Sequence, residues 1–391
     1  MTANHFKLSL PTGVYRADQV GSLLRPKEIL TARERLASRN ISASELRRLE
    51  DKHIADVVRK QLQSGLRSIT DGEFRRAFFH LDFLQHFDGV EVQGSLTSTN
   101  KSREGWMPPR LVVTGKLGHS KPIQVDDFKF LERQIAEAGG GSAFGQVTTK
   151  VAIPSPTMVH FRGGRDTIDI NAYPSLDEFF ADLARIYQEE LADLYAAGCR
   201  FVQLDDTNLA YLCDSKMRSE AETRHGANAK QLASQYADLI NRAIEKRPSD
   251  MTVAIHLCRG NHRSQWFAQG GYEPVAEVLF KQLNVDVYFL EYDDARSGDF
   301  SPLRHLPENK VVVLGVMTSK RGEVDDKDAM VTRLREAAKY CKKGLEQLCV
   351  SHQCGFSSTM EGNELSEEQQ WEKIRAEVEV AKTLWGDDTA V

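Results

Sequence analysis

Eight short, nearly unbroken apolar runs recur along this chain, and longer stretches of helical periodicity fill most of the gaps between them. The runs lie at 14–21, 67–71, 147–154, 201–205, 252–258, 285–291, 311–317 and 348–354, with "RFVQLDD", "VDVYFLEYD" and "KVVVLGVMT" the clearest. Strands that are apolar at every position rather than at alternate ones are covered on both faces, the condition of a parallel sheet. Helical patterns occupy 26–38, 43–65, 175–197, 227–246, 273–283, 325–344 and 366–385. About eight β/α units in succession predict an α/β chain folded as a single TIM-type (β/α)8 barrel. A doubly wound open sheet is the competing architecture.

One stretch breaks the rhythm. Residues 86–146 contain "GVEVQGS" and "PPRLVVTGKLG", which resemble antiparallel strands, and the glycine-rich "AGGGSAFG". They predict a β-rich excursion inserted after the second strand and folded over one barrel end. No P-loop lysine pattern follows Gly139–Gly141, so that run is expected to be a flexible linker rather than a phosphate cradle. With no internal repeat, residues 1–391 are expected to form one domain carrying this insertion.

The bulk numbers exclude several functions. A net charge of −5 over 391 residues leaves no basic surplus for binding nucleic acid. No apolar stretch is long enough to span a bilayer, and "MTANHFKLSL" lacks a signal-peptide core, so a cytoplasmic protein is expected. Six cysteines are too few for a disulfide scaffold in a chain of this size. Cys199, Cys341 and Cys349 are expected to be small buried hydrophobes.

Three other segments bring metal-ligand residues to the ends of expected strands. "MTVAIHLCRG" carries His256 and Cys258, "VDVYFLEYDD" carries Glu291, and "LCVSHQCGF" carries Cys354. In an extended strand residues i and i+2 point the same way, so His256 and Cys258 can face one ion. The C-terminal strand ends of a barrel converge on one mouth, which makes neighbours of residues far apart in sequence. A histidine, two cysteines and a carboxylate in that position predict a zinc site built by the fold. His352 also stands two residues before Cys354, so a His2Cys2 set without Glu291 fits as well. Other polar residues at strand ends, among them Gly21, Ser22, Asp71, Gly72, Glu73, Asp205 and Asp206, outline a polar pocket. Any one of these alone reads as a turn or helix-cap residue.

These pieces together resemble the cobalamin-independent methionine synthase family, in its C-terminal catalytic barrel. The matching segments are "VGS" at 20–22, "DGE" at 71–73, "QLDD" at 203–206, "HLC" at 256–258, "LEYD" at 290–293 and "QCG" at 353–355, in order across nearly the whole chain. The resemblance implies a Zn2+ site of His256, Cys258, Glu291 and Cys354, with Glu291 favoured over His352. It also implies a homocysteine pocket, with the Val20, Gly21 and Ser22 segment meeting the carboxylate and Glu73 and Asp205 holding the ammonium group. The implied reaction is methyl transfer from a methylfolate to the homocysteine thiol, giving methionine, with Glu291 the ligand that loosens as the substrate sulfur arrives.

The methyl-donor side departs from the family pattern. A histidine expected after the seventh strand is missing from "GVMTSKRGE", which offers Thr318, Ser319 and Lys320, and a tryptophan expected after the third strand is replaced by "IPSPTMVHF". His160 is a candidate for handling a proton there and Phe161 for stacking on a ring, as His352 is at the thiol side; ordinary packing is the competing role for each. Two alternatives follow. The zinc–thiolate chemistry is kept with another electrophile, an epoxide in the coenzyme M manner or a methylcorrinoid. Or the barrel is metal-free, decarboxylase-like or simply binding.

Overall fold

The computed structural model describes residues 9–94, 109–141 and 145–386. The first eight residues of the N-terminal segment and residues 142–144 of the glycine-rich run lie outside them. The strands are β1 (Ser68–Ile69), β2 (Asp88–Gln93), β3 (Arg110–Gly118), β4 (Thr148–Thr149), β5 (Val151–Pro154), β6 (Phe201–Asp206), β7 (Thr252–Leu257), β8 (Val287–Glu291), β9 (Val311–Met317) and β10 (Leu348–His352). Strands β5 to β10 form one parallel sheet in chain order, β1 pairs in parallel with β4, and β2 and β3 form an antiparallel pair. The molecule is thus an α/β fold on a parallel sheet.

Alternation along the strands explains why these runs are apolar throughout. Val202, Leu204, Val253, Ile255, Leu257, Tyr288, Leu290, Val312 and Leu314 join the core shared with the helices. The residues between them, Phe201, Ala254, Val287, Phe289, Val311, Val313 and Cys349, form a separate cluster on the opposite face. That second face changes character along the strands. Phe201 is followed by Gln203 and Asp205, Ala254 by His256, and Phe289 by Glu291. An apolar floor therefore lies beneath a polar rim at the C-terminal strand ends.

The helices are α1 (Lys27–Ala37), α2 (Ala43–Ser64), α3 (Leu81–Leu84), α4 (Val125–Glu137), α5 (Leu176–Ala196), α6 (Asn208–Tyr211), α7 (Ser215–His225), α8 (Ala229–Ile244), α9 (Lys327–Ala338) and α10 (Glu367–Trp385). The longer ones start where the sequence says they should. Ser42 with Glu45, Asn228 with Gln231, and Ser366 with Gln369 form capping boxes at α2, α8 and α10. Glycine in the left-handed conformation ends α2 at Gly65.

Several expectations need correction. The 14–21 run is not a strand of its own. It touches the sheet through one parallel bridge, Ala17 to Val350, with Asp18 N donating to Val350 O at 3.0 Å. The 67–71 run shortens to β1, and 147–154 is divided at Lys150 into β4 and β5. On the other side of the seam, Gln19 Nε2 donates to Ser68 O and Thr70 Oγ1 to Gly21 O, each at 2.7 Å. Side chains there take over hydrogen bonding that a ladder would otherwise supply. The 273–283 stretch is a 3-10 turn (Glu273–Val275) and a π turn (Val278–Gln282), not an α-helix. Val278, Leu279 and Phe280 are buried in succession, which no single α-helical stripe satisfies. The 325–344 stretch stops as a helix at Ala338.

The excursion is not purely β-rich. It includes α4, whose Val125, Phe128, Leu131 and Ile135 are buried at helical spacing. The β2–β3 pair lies against α5, Leu117 N donates at 2.7 Å to the OH of Tyr173, which precedes that helix, and α4 packs on α2. No helix among the described residues is long and apolar enough to cross a membrane.

Candidate active site

At the rim, β7, β8 and the turn after β10 bring four ligand groups together. One ligand atom from each of His256, Cys258, Glu291 and Cys354 lies within 4.8 Å of every other, and all four residues are buried. Register explains the meeting. Asp205 pairs with His256 across β6 and β7, His256 with Phe289 across β7 and β8, and Glu291 with Gly315 across β8 and β9. Cys258 follows the end of β7, still held to β6 by its N–H on Asp206 O at 2.8 Å. Its side chain therefore faces the same way as that of His256.

The chemistry of the set fits a thiophilic cation. The Cys258 and Cys354 sulfurs lie 3.2 Å apart. Hydrogen bonding with its partner pushes Cys258 well above the ordinary thiol range and holds Cys354 well below it, with His256 helping on the Cys354 side. Neither ring nitrogen of His256 is satisfied by a hydrogen bond. Burial pushes that imidazole's pKa down, but Cys354, Asp205 and Glu291 together outweigh it and raise the value. A buried polar group left without a partner costs about 1–3 kcal/mol, so this histidine asks for a ligand. Two thiols, an imidazole and a carboxylate are what zinc accepts in a tetrahedral site.

Glu291 is held from behind. Its Oε1 accepts from Arg259 N at 2.9 Å and its Oε2 from Arg296 Nη2 at 3.2 Å. Arg259, fully buried, is itself fixed to Tyr272 OH at 2.7 Å and Gly270 O at 2.7 Å. Sequence reasoning missed Arg259, Tyr272 and Arg296. "CRGN" reads as a polar turn, and only the folded chain shows the arginine turned inward.

His352 is elsewhere. Its Nδ1 faces Glu377 at 3.0 Å and its Nε2 accepts from Val20 N at 3.3 Å, with no exposed surface. Both nitrogens are committed, and the four-group cluster forms with Glu291 rather than His352. This contact also uses the Val20 N–H. The Gly21 and Ser22 N–H groups have no acceptor among the described residues.

Next to the cluster lies a polar recess. Glu73 Oε1 is near Gly21, where a Cβ would stand 3.7 Å from it, and Glu73 Oε2 has no partner. Glu73 has a positive φ of 59°, unusual for a residue with a side chain. Burial, with Asp205 adding repulsion, raises its pKa to about 7 against the pull of Arg76. Asp205 is pushed to about 6, again chiefly by burial, and accepts from Gln203 Nε2 at 2.7 Å. Ser22 packs on the residue after Cys354: a Cβ at Gly355 would stand 1.9 Å from Ser22 Oγ. Only glycine allows the "VGS" segment and the cysteine turn to pack so closely.

The remaining candidates are core residues in this structure. His160 Nδ1 is 2.9 Å from Tyr236 OH, and its ring packs among Phe180, His225 and Tyr236. Burial, then His225, lowers its pKa to about 3, so it is neutral. Phe161 is buried against Tyr211, His225 and Tyr236. Cys199, Cys341 and Cys349 are buried thiols whose pKa burial pushes up to about 12. A second group, His119, Glu190 and Asp193, also has its ligand atoms together, but Glu190 there accepts from Ile123 N and Gln124 N and caps α4.

A larger cavity of about 460 Å³ opens onto Cys258. Phe79, His80, Arg162, Tyr211, Asn261 and Phe267 are among its walls. None of these was singled out from sequence. The "FFHL" run at 78–81 was the available signal, aromatic residues crowded just after a strand-end motif.

Comparison with known proteins agrees with this geometry. Residues 16–383 match the family described as the cobalamin-independent synthase catalytic domain. An uncharacterized Bacillus subtilis protein, YxjG, is 42% identical over 373 residues, covering 95% of each chain. A solved structure of a candidate vitamin-B12 independent methionine synthase from Listeria monocytogenes is 37% identical with a TM-score of 0.75, covering 97% of this chain and 99% of that one. The B12-independent methionine synthase of Shewanella sp. W3-18-1, solved with selenomethionine, shares the fold at 20% identity and a TM-score of 0.69, covering 97% of this chain and all of that one.

Proposed function

Because the chain belongs to the cobalamin-independent methionine synthase family, a family of methyltransferases, we propose that it methylates homocysteine at a zinc site, forming methionine. The observation that carries this reading is the four-group cluster of His256, Cys258, Glu291 and Cys354, with both His256 nitrogens unsatisfied. We take the fold as one (β/α)8 barrel domain, closed through the 14–21 segment, with 86–146 an insertion after the second strand. The bonds across the 14–21 seam support closure.

Zinc held by the four residues would supply the charge that keeps a bound thiol deprotonated at neutral pH, where a free one is mostly protonated. The protein's own groups do the rest. Glu73 and Asp205 hold the homocysteine ammonium, a role suited to two buried carboxylates whose mutual repulsion a cation relieves. The Gly21 and Ser22 N–H groups meet the carboxylate, while the Val20 N–H stays on His352. Since both Glu291 oxygens have protein partners, Glu291 can withdraw from the cluster without being stranded. The selenomethionine seen with the Shewanella enzyme has the shape of the thioether product.

The test is metal analysis followed by turnover. Purified protein is expected to carry about one zinc per chain and to form methionine from homocysteine and methyltetrahydrofolate. A zinc-free protein would end the proposal. A zinc-loaded protein that binds homocysteine but gives no methionine would rule out that donor.

A further inference from the structure

Glu291 stands between two claims. One is the cluster, where a carboxylate oxygen of Glu291 lies within 4.8 Å of the ligand atoms of His256, Cys258 and Cys354. The other is Arg296. Its Nη2 donates to Glu291 Oε2 at 3.2 Å, beyond the about 2.7–2.9 Å of a full charge-assisted bond. The same guanidinium meets Asp293 at 2.9 Å through Nη2 and Asp294 at 2.7 Å through Nη1. Its third nitrogen, Nε, is buried and has no hydrogen-bond partner among the described residues. Nε and Nη2 make one edge of the guanidinium fork, an edge that takes a carboxylate by two parallel bonds. Glu291 fills one place on that edge and leaves the other open. A buried donor left unmade costs free energy, so the open place points to a second position of the carboxylate.

Arg296 is fixed where it can receive it. It lies on the 3-10 turn Ala295–Ser297, and its side chain is 6% exposed. Its backbone O accepts from Gly270 N at 2.7 Å, and the Trp266 ring covers the guanidinium at 5.8 Å. Arg259 meets the Glu291 carboxylate through its backbone N–H, its guanidinium being turned to Tyr272 OH, Gly270 O and Glu291 O.

We propose that Arg296 is the receiver of Glu291: when a substrate thiolate takes the carboxylate's place in the cluster, Glu291 closes onto Nε and Nη2 of Arg296, and the thiol proton leaves to solvent. Arg296 is thus a positioning residue. It acts on the thiol through Glu291 and sets how readily the cluster exchanges a carboxylate for a sulfur. Without it, a displaced Glu291 would be stranded beside Asp293, whose side chain is 2% exposed, with no cation between them. Glu291 would then keep to the cluster, and the thiol would bind less well. The proposal rests on the reading of the cluster as a thiol-binding zinc site.

The test uses cobalt(II) in place of zinc, because its absorption responds to each sulfur that joins it. In the full-length protein, Arg296→Gln is expected to hold cobalt against a chelator at least as tightly as the wild type. It is expected to bind homocysteine about 10- to 100-fold more weakly, the size of a charged hydrogen bond. Arg296→Lys keeps the charge without the two-pronged edge; it should fall between, and it carries the comparison if Arg296→Gln does not fold. In a Glu291→Ala background there is nothing to receive, so Arg296→Gln should change homocysteine affinity by less than about threefold. Loss of cobalt together with homocysteine, unchanged homocysteine affinity, or an equal loss in the Glu291→Ala background would each overturn the proposal. A wild-type protein that binds no cobalt or no homocysteine ends the zinc reading and this inference with it. A wild-type protein that binds both, beside an Arg296→Gln protein that behaves the same, ends the inference alone.

Discussion

The two halves of the site are built differently. The thiol half has its cluster of His256, Cys258, Glu291 and Cys354 at the ends of β7, β8 and β10, with the recess of Gly21, Ser22, Glu73 and Asp205 beside it. Ladder register places Asp205, His256 and Glu291, and the Gly355 turn packs closely on Ser22. The larger cavity above Cys258 is made by loops and short helices, where Phe79, His80, Arg162, Tyr211 and Phe267 arrive from separate connections. A parallel sheet can hold a nucleophile rigidly while the loops above it change what the nucleophile attacks.

The largest expected effects break the thiol half. Cys258→Ser and Cys354→Ser should each abolish zinc retention, read by elemental analysis, and turnover with it. Stoichiometric zinc in either variant would place the metal elsewhere. Glu73→Gln is a milder break. It should leave zinc content unchanged while raising KM for homocysteine about 10- to 100-fold, the loss of a charged hydrogen bond. A parallel fall in zinc would show that Glu73 supports the cluster rather than the amino acid.

His352→Gln sharpens the boundary of the metal set. It should keep zinc but lower stability by about 3–5 kcal/mol in denaturant titration, because Glu377 is left buried without its partner. Loss of zinc with unchanged stability would return His352 to the ligand set.

A pH effect comes next. The Glu73 carboxyl stands at about 7 rather than its ordinary 4.5, because burial and then Asp205 disfavour its charge. The folded state therefore holds this proton more tightly than the unfolded one, and that contribution to stability fades as pH rises from about 4.5 to 7. An ammonium group favours the carboxylate, so homocysteine should bind more weakly below pH 7 and release a proton on binding near it. Calorimetry in buffers of different ionisation enthalpy measures that release, and no proton release in this window would take Glu73 out of the ammonium site. The smallest effect should come from His160→Phe. The ring belongs to the aromatic core, so kcat should change by less than about threefold, and only the Tyr236 hydroxyl should lose a partner, for about 1–2 kcal/mol of stability. A large fall in kcat would bring His160 back as a proton carrier.

Much of the thiol half was legible in the linear chain because its information is local. Period-two alternation puts His256 and Cys258 on one side, and strand ends put Glu291 and Cys354 at one rim. Six of the eight expected runs, from 147–154 to 348–354, lie in one parallel sheet in chain order, readable for the same reason, since runs buried on both faces are long and apolar. What stayed hidden was whatever depends on turning inward after a strand. Arg259 looks like a solvated turn residue in "CRGN" and is fully buried. His352 looks like a ligand at H-x-C spacing and is bound instead by Glu377, 25 residues later in α10. Helix α4 was passed over inside a stretch read as β-rich, although its apolar spacing was there to find.

By itself, the sequence determined that this chain is an α/β protein on a parallel sheet with sulfur and imidazole ligands at its strand ends, because periodicity and residue type are properties of short segments. Only the tertiary structure decided that Glu291 and not His352 completes the cluster, that the Val20 amide is already spent, and that Phe79, Arg162, Tyr211 and Phe267 share one cavity. Those choices depend on which groups meet across the rim, and a ligand's partner or a cavity's charge exists only once distant segments share one space.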